Sequence, residues 1–115
     1  MSSRVIATVF DCRDAEALAG FWCAALDYQV VRRWRDAHDI EYVEAGAAGE
    51  PLLLFYPVPD QKRAKNRVHL DVRAVGPQYD EVARLVALGA RIVEDDPAQV
   101  WVVLQDPEGN EFCVL

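Results

Sequence analysis

Within residues 66–73, Asn-Arg-Val-His-Leu-Asp-Val-Arg, an imidazole and a carboxylate stand two positions apart, and an arginine precedes them at the same spacing. Val68, Leu70 and Val72 alternate with Arg67, His69, Asp71 and Arg73, a period of two that predicts a strand with one apolar and one polar face. His69, Asp71 and Arg67 then look out on one side. An imidazole titrates near neutrality, so His69 is a candidate general acid or base, with Asp71, Tyr56 or Glu111 available to orient it. Arg67 suits an anion, and Trp101 and Tyr56 suit the face of a flat ligand. Cys113 is a nucleophile only beside a base that lowers its pKa. Each residue also has a plainer account: His69 and Asp71 as a pair solvating a strand, Cys113 as a small packing residue, the tryptophans as core or interface.

Composition narrows the choice. The 115 residues carry 12 Lys and Arg against 19 Asp and Glu, and a net charge of −7 repels phosphate backbones and anionic lipid, so nucleic acid and membrane are not expected as partners. Half of the chain is apolar, enough for one core and a single domain over residues 1–115. Cys12, Cys23 and Cys113 are odd in number and far apart, which suggests neither a disulfide framework nor a structural zinc site and fits a reducing, cytoplasmic setting. No apolar run approaches the roughly 18 residues of a membrane span.

The elements that must hold these side chains follow in order. Residues 5–10 are rich in β-branched types and predict a strand. Asp14 suits a helix N-cap, and Leu18, Phe21, Trp22 and Ala25 form the stripe of the helix after it. Residues 28–35 and 39–45 alternate around a turn at 36–38 and predict a hairpin. Leu52, Leu53, Leu54, Phe55 and Tyr56 predict a strand buried on both faces, closed by Pro57 and Pro59. The order then begins again: the strand of His69, a helix from Pro77 to Gly89 with Val82, Leu85 and Val86 inward, a short strand at 91–94, a strand through Trp101, the turn at 106–110 and a last strand at 112–114. A shift of 62 lays Ile6 on Val68, Phe10 on Val72 and Leu26 on Leu88. The chain therefore reads as an internal repeat. Two ferredoxin-like halves are the alternative, but they leave one strand too many between residues 39 and 56.

Two βαβββ modules, about 4–57 and 66–115, with Phe21 and Trp22 in the first helix, Asn-Arg-Val-His-Leu-Asp opening the second half and Asp-Pro-Glu-Gly-Asn-Glu-Phe-Cys closing it, resemble the vicinal oxygen chelate superfamily, and among its members the small glyoxalase-like domains. The resemblance implies an α+β fold of the glyoxalase/bleomycin-resistance type with a concave cleft. Metal-dependent members of that superfamily hold their ion with four ligands, whose positions fall here on Ala7, Tyr56, His69 and Cys113. Ala7 has no donor atom and a phenol ligates only when deprotonated, so no metal and no other cofactor is expected, a divalent ion being the less favoured alternative. The resemblance implies a homodimer that binds a small organic molecule in the cleft, with Tyr56, Arg67, His69, Asp71, Trp101, Glu111 and Cys113 as ligand-binding residues. The alternative is an enzyme of lyase or isomerase type, using His69 as general acid or base or as part of an incomplete metal site.

Overall fold

The computed structural model describes residues 1–115, which form two compact units, Met1–Gln61 and Lys62–Leu115. The first unit runs β1 (Ala7–Cys12), α1 (Ala15–Leu26), β2 (Gln29–Arg35), β3 (Glu41–Gly46), β4 (Leu52–Pro57). Its sheet has the order β1-β4-β3-β2, with β1 parallel to β4 and the remaining pairs antiparallel. Asp14 starts α1 by accepting a hydrogen bond from the Ala17 N–H at 3.0 Å, and Asp27, in the left-handed region at φ 57°, ends it. Leu18, Phe21 and Trp22 are buried on the inner face of the helix. Phe10 closes the stack, its ring centroid 5.6 Å from Trp22 and 5.4 Å from Phe55.

The second unit repeats that order as β5 (Leu70–Val72), α2 (Gln78–Leu88), β6 (Arg91–Glu94), β7 (Val102–Gln105), β8 (Glu111–Val114). Its sheet, β5-β8-β7-β6, again has its first and last strands parallel and side by side. Val82 and Leu85 of α2 are buried, as are Val102, Leu104, Phe112 and Val114 of the sheet. Pro77 precedes the first turn of α2, where no N–H is needed, and Gly89 at φ 125° ends it. The expected α+β fold of two tandem βαβββ modules is thus the fold observed, and no helix is long and apolar enough to cross a membrane.

Several expected boundaries move. The first strand begins at Ala7, leaving Val5 and Ile6 exposed ahead of it. The strand of His69 starts only at Leu70, so Val68 is exposed instead of packed, and Trp101 lies just ahead of β7. The fourth strand is not buried on both faces: Leu53 and Phe55 are buried, while Leu52, Leu54 and Tyr56 are half-buried. Its second apolar face lies on the side of the sheet away from α1, which a run of apolar residues cannot reveal by itself.

Candidate functional site

The open face of the second sheet is assembled by register. Asp71 on β5 stands opposite Cys113 on β8, and Cys113 stands opposite Val103 on β7, so the three form a row across adjacent strands. His69, two positions before Asp71, comes to the same face, its Nε2 3.2 Å from Asp71 Oδ1. These residues, with Lys65, Trp101 and Glu111, line a cavity of about 360 Å³. That volume is within the range of small-molecule pockets, and Trp101 and Val103 give it an apolar wall beside a few polar groups.

The turn at Asp106–Asn110 and the segment before β5 fix this arrangement. Asp106 Oδ1 accepts from the Glu108 N–H at 2.9 Å and the Asn110 N–H at 3.0 Å, and Gly109 takes the left-handed φ of 88° that the turn requires. Asn110 Oδ1 accepts from the side-chain amide of Asn66, and Glu111 accepts from the Asn66 backbone N–H at 3.2 Å. The Lys62 ammonium completes the set at 3.0 Å from Glu111. The two sequence motifs that carry the resemblance are therefore bolted to each other, which sets where the segment carrying Lys65 and His69 enters the sheet.

Electrostatics separates the candidates. Burial works against the Glu111 carboxylate, but Lys62 and the Asn66 N–H outweigh it and hold the group below the usual carboxylate range. Glu111 is a committed anion, not a free acid or base. Burial pushes the Cys113 thiol up, the adjacent Asp71 charge and a hydrogen bond to Asp71 push it further, and Lys65 opposes them. Burial and the neighbouring Asp71 carboxylate both disfavour the thiolate, so Cys113 is not an activated nucleophile. His69 and Asp71 are the solvent-facing members, with side chains 42% and 62% exposed.

Of the expected site residues, His69, Asp71, Trp101, Glu111 and Cys113 line this cavity together. Arg67 does not; it lies in an irregular bend ahead of β5, where the alternation that was to align it with His69 has not begun. Tyr56 belongs to the first unit, and its hydroxyl donates to Asp36, which holds the phenol above its ordinary pKa and the Asp36 carboxyl below its own. Register corrects its assignment as well. Thr8 pairs with Leu53 and Leu70 with Phe112, so with Ala7 matched to His69 the mate of Cys113 is Leu54, not Tyr56. The four-ligand set of metal-dependent relatives thus does not fit this chain, because its first unit offers a methyl and an isobutyl group. Two residues escaped the sequence reading. Lys65 reaches the cavity from an irregular connector, and Lys62 finds Glu111 across 49 positions; neither leaves a periodic signal.

Comparison with known proteins agrees with this architecture. The glyoxalase-like domain family model matches residues 7–115. No curated protein matches the chain. Among solved structures, the trypanothione-dependent glyoxalase I of Leishmania major aligns at a TM-score of 0.76 and 18% identity, over 99% of this chain and 86% of that one. A glyoxalase/bleomycin resistance protein/dioxygenase family enzyme from Burkholderia phytofirmans aligns at 0.76 and 16%, over 97% of each chain. The E126Q mutant of the fosfomycin resistance protein FosX from Listeria monocytogenes, complexed with Mn(II) and a dihydroxypropylphosphonic acid, aligns at 0.77 and 14%, over 99% and 92%. At these identities the structures speak to the fold. The family match covers nearly the whole length, and the aligned structures share the fold of paired modules, so the chain belongs to the glyoxalase-like domain family of the vicinal oxygen chelate superfamily.

Proposed function

We propose that this protein binds a small organic molecule in the cavity of its second unit, with an aromatic or otherwise flat apolar body against Trp101 and Val103 and an anionic or hydrogen-bonding group towards His69 and Lys65. The observation that carries the reading is the convergence of one cavity of about 360 Å³ with an exposed tryptophan, an exposed imidazole and a lysine along its walls. Such a mixture, mostly apolar surface with few polar groups, is what orients small ligands. Binding of this kind requires no metal ion. Three free cysteines favour a reducing, cytoplasmic setting. A homodimer is part of the proposal, supported by exposed apolar residues at the open edge of the first sheet.

The test uses 1-anilinonaphthalene-8-sulfonate, an aromatic anion with both required features. The folded protein is expected to bind it with a rise in dye fluorescence and quenching of tryptophan emission. Trp101→Ala or His69→Ala should each weaken binding by about tenfold, the loss of one good contact at 1.4 kcal/mol per decade. Unchanged affinity in both variants would refute the location. A second reading, acid–base catalysis by His69, draws support from the 3.2 Å contact that orients its ring through Asp71. Under that reading, once a turned-over compound is known, His69→Ala retains ligand affinity and loses turnover.

A further inference from the structure

We propose that His69, Asp71 and Cys113 form a three-donor site for a borderline divalent cation, zinc being the best match, held entirely by the second unit. This goes beyond the ligand reading and stands on donor geometry alone, so either can fail without the other. One ligand atom from each residue lies within 4.8 Å of the other two. The His69 to Asp71 contact, at 3.2 Å, is already near the roughly 3.3–3.8 Å that separates two donors on a tetrahedral zinc with bonds of about 2.0–2.3 Å. The donors as a set still have to close by up to about 1.5 Å. The adjustment falls on His69 and Asp71, whose side chains are exposed, while Cys113 is 9% exposed and held in mid-strand.

The scaffold fixes where the donors converge. Asp71 and Cys113 are register partners on adjacent parallel strands, and His69 precedes Asp71 by two, so all three reach one face without any loop having to close. Imidazole, thiolate and carboxylate together suit zinc or cobalt and disfavour magnesium or calcium, which take all-oxygen shells. Binding forms the sulfur–metal bond and releases the thiol proton to solvent. A water or an oxygen of an organic ligand in the adjoining cavity would complete the shell. This donor set is not the four-position set of metal-dependent relatives. It takes nothing from the first unit and recruits Asp71, two residues along from the position of His69.

The experiment is titration of the full chain with cobalt(II) alone, followed by absorption spectroscopy and equilibrium dialysis. We expect one cobalt per chain, with thiolate-to-metal charge transfer in the near ultraviolet and the visible bands of a four-coordinate ion. Cys113→Ser should abolish the charge transfer, and Asp71→Asn and His69→Ala should each weaken binding by at least about tenfold. Both of the latter sites are exposed, so these variants keep the test alive should Cys113→Ser fail to fold. Absence of binding at 100-fold excess cobalt would overturn the site. So would charge transfer that persists in Cys113→Ser, which would place the ion on Cys12 or Cys23, or an unchanged affinity in Asp71→Asn, which would leave only two donors. Loss of dye binding with cobalt binding intact would count against the organic-ligand reading alone.

Discussion

Glu111 divides its two carboxylate oxygens between the Lys62 ammonium and the Asn66 backbone N–H, and that division decides its role. A buried carboxylate stripped of a cationic partner bears most of its desolvation cost, so Lys62→Met should destabilise the protein by about 1–3 kcal/mol in chemical denaturation. The Asp36 to Tyr56 contact in the first unit makes a prediction about pH. The Tyr56 hydroxyl first, then the Ile40 N–H, hold the Asp36 carboxyl below its ordinary value, while Asp36 holds the Tyr56 phenol above its own. The carboxyl therefore contributes stability that is present above about pH 3.9 and lost as pH falls through its folded-state pKa; the phenol contributes stability that is present below about pH 10 and lost as pH rises through its folded-state pKa. Tyr56→Phe removes the contact. Its melting temperature should fall below that of the parent through the neutral range and converge on it in strong acid and strong base; a pH-independent gap would mean the hydroxyl acts through packing alone. At this scale alternation put His69 and Asp71 on one face, and the resemblance, not periodicity, placed Cys113 on the same concave surface. Neither could disclose Lys62, Lys65 or the misassigned Tyr56, whose places depend on irregular backbone and on which residues of two strands lie opposite.

The elements follow rules that are visible locally. Asp14 caps α1 with its own side chain, and Asp14→Ala should cost about 1 kcal/mol, read as a lower denaturation midpoint at unchanged slope. Leu104 on β7 is fully buried, and Leu104→Ala should cost about 2–5 kcal/mol by removing transfer energy and leaving a void. Helix caps and most stripe residues survive from sequence to structure because they depend on residues three or four apart, but Val86 of α2, expected inward with Val82 and Leu85, is 41% exposed. Strand ends do not survive. β5 keeps only Leu70–Val72 of an alternating run of seven, because pairing ends where β8 ends, and β8 begins only once the turn at Asp106–Asn110 has closed. Pattern gives the face of a strand; only the partner gives its length.

At the scale of the whole molecule, the recurrence of β1-β4-β3-β2 as β5-β8-β7-β6 matches the repeat that a 62-residue shift suggested, down to the parallel pairing of first and last strands. Each sheet ends in open strands, and the first unit leads into its edge strand β1 through Val5 and Ile6, 93% and 82% exposed. Exposed apolar residues beside unpaired backbone groups invite a second chain. Sedimentation at tens of micromolar should therefore give a dimer, and Ile6→Lys should shift it towards monomer; a monomeric parent protein would remove the dimer from the proposal. The entry of ligand into the second unit is the decisive point. The direct measurement is a two-dimensional NMR titration of the isotope-labelled full chain with 1-anilinonaphthalene-8-sulfonate, following the Trp101 indole, the His69 ring and the backbone amides. Binding in the second unit predicts saturable shifts centred on Lys65, His69, Trp101, Val103 and Cys113, while shifts confined to the first unit, or none up to solubility, would contradict it.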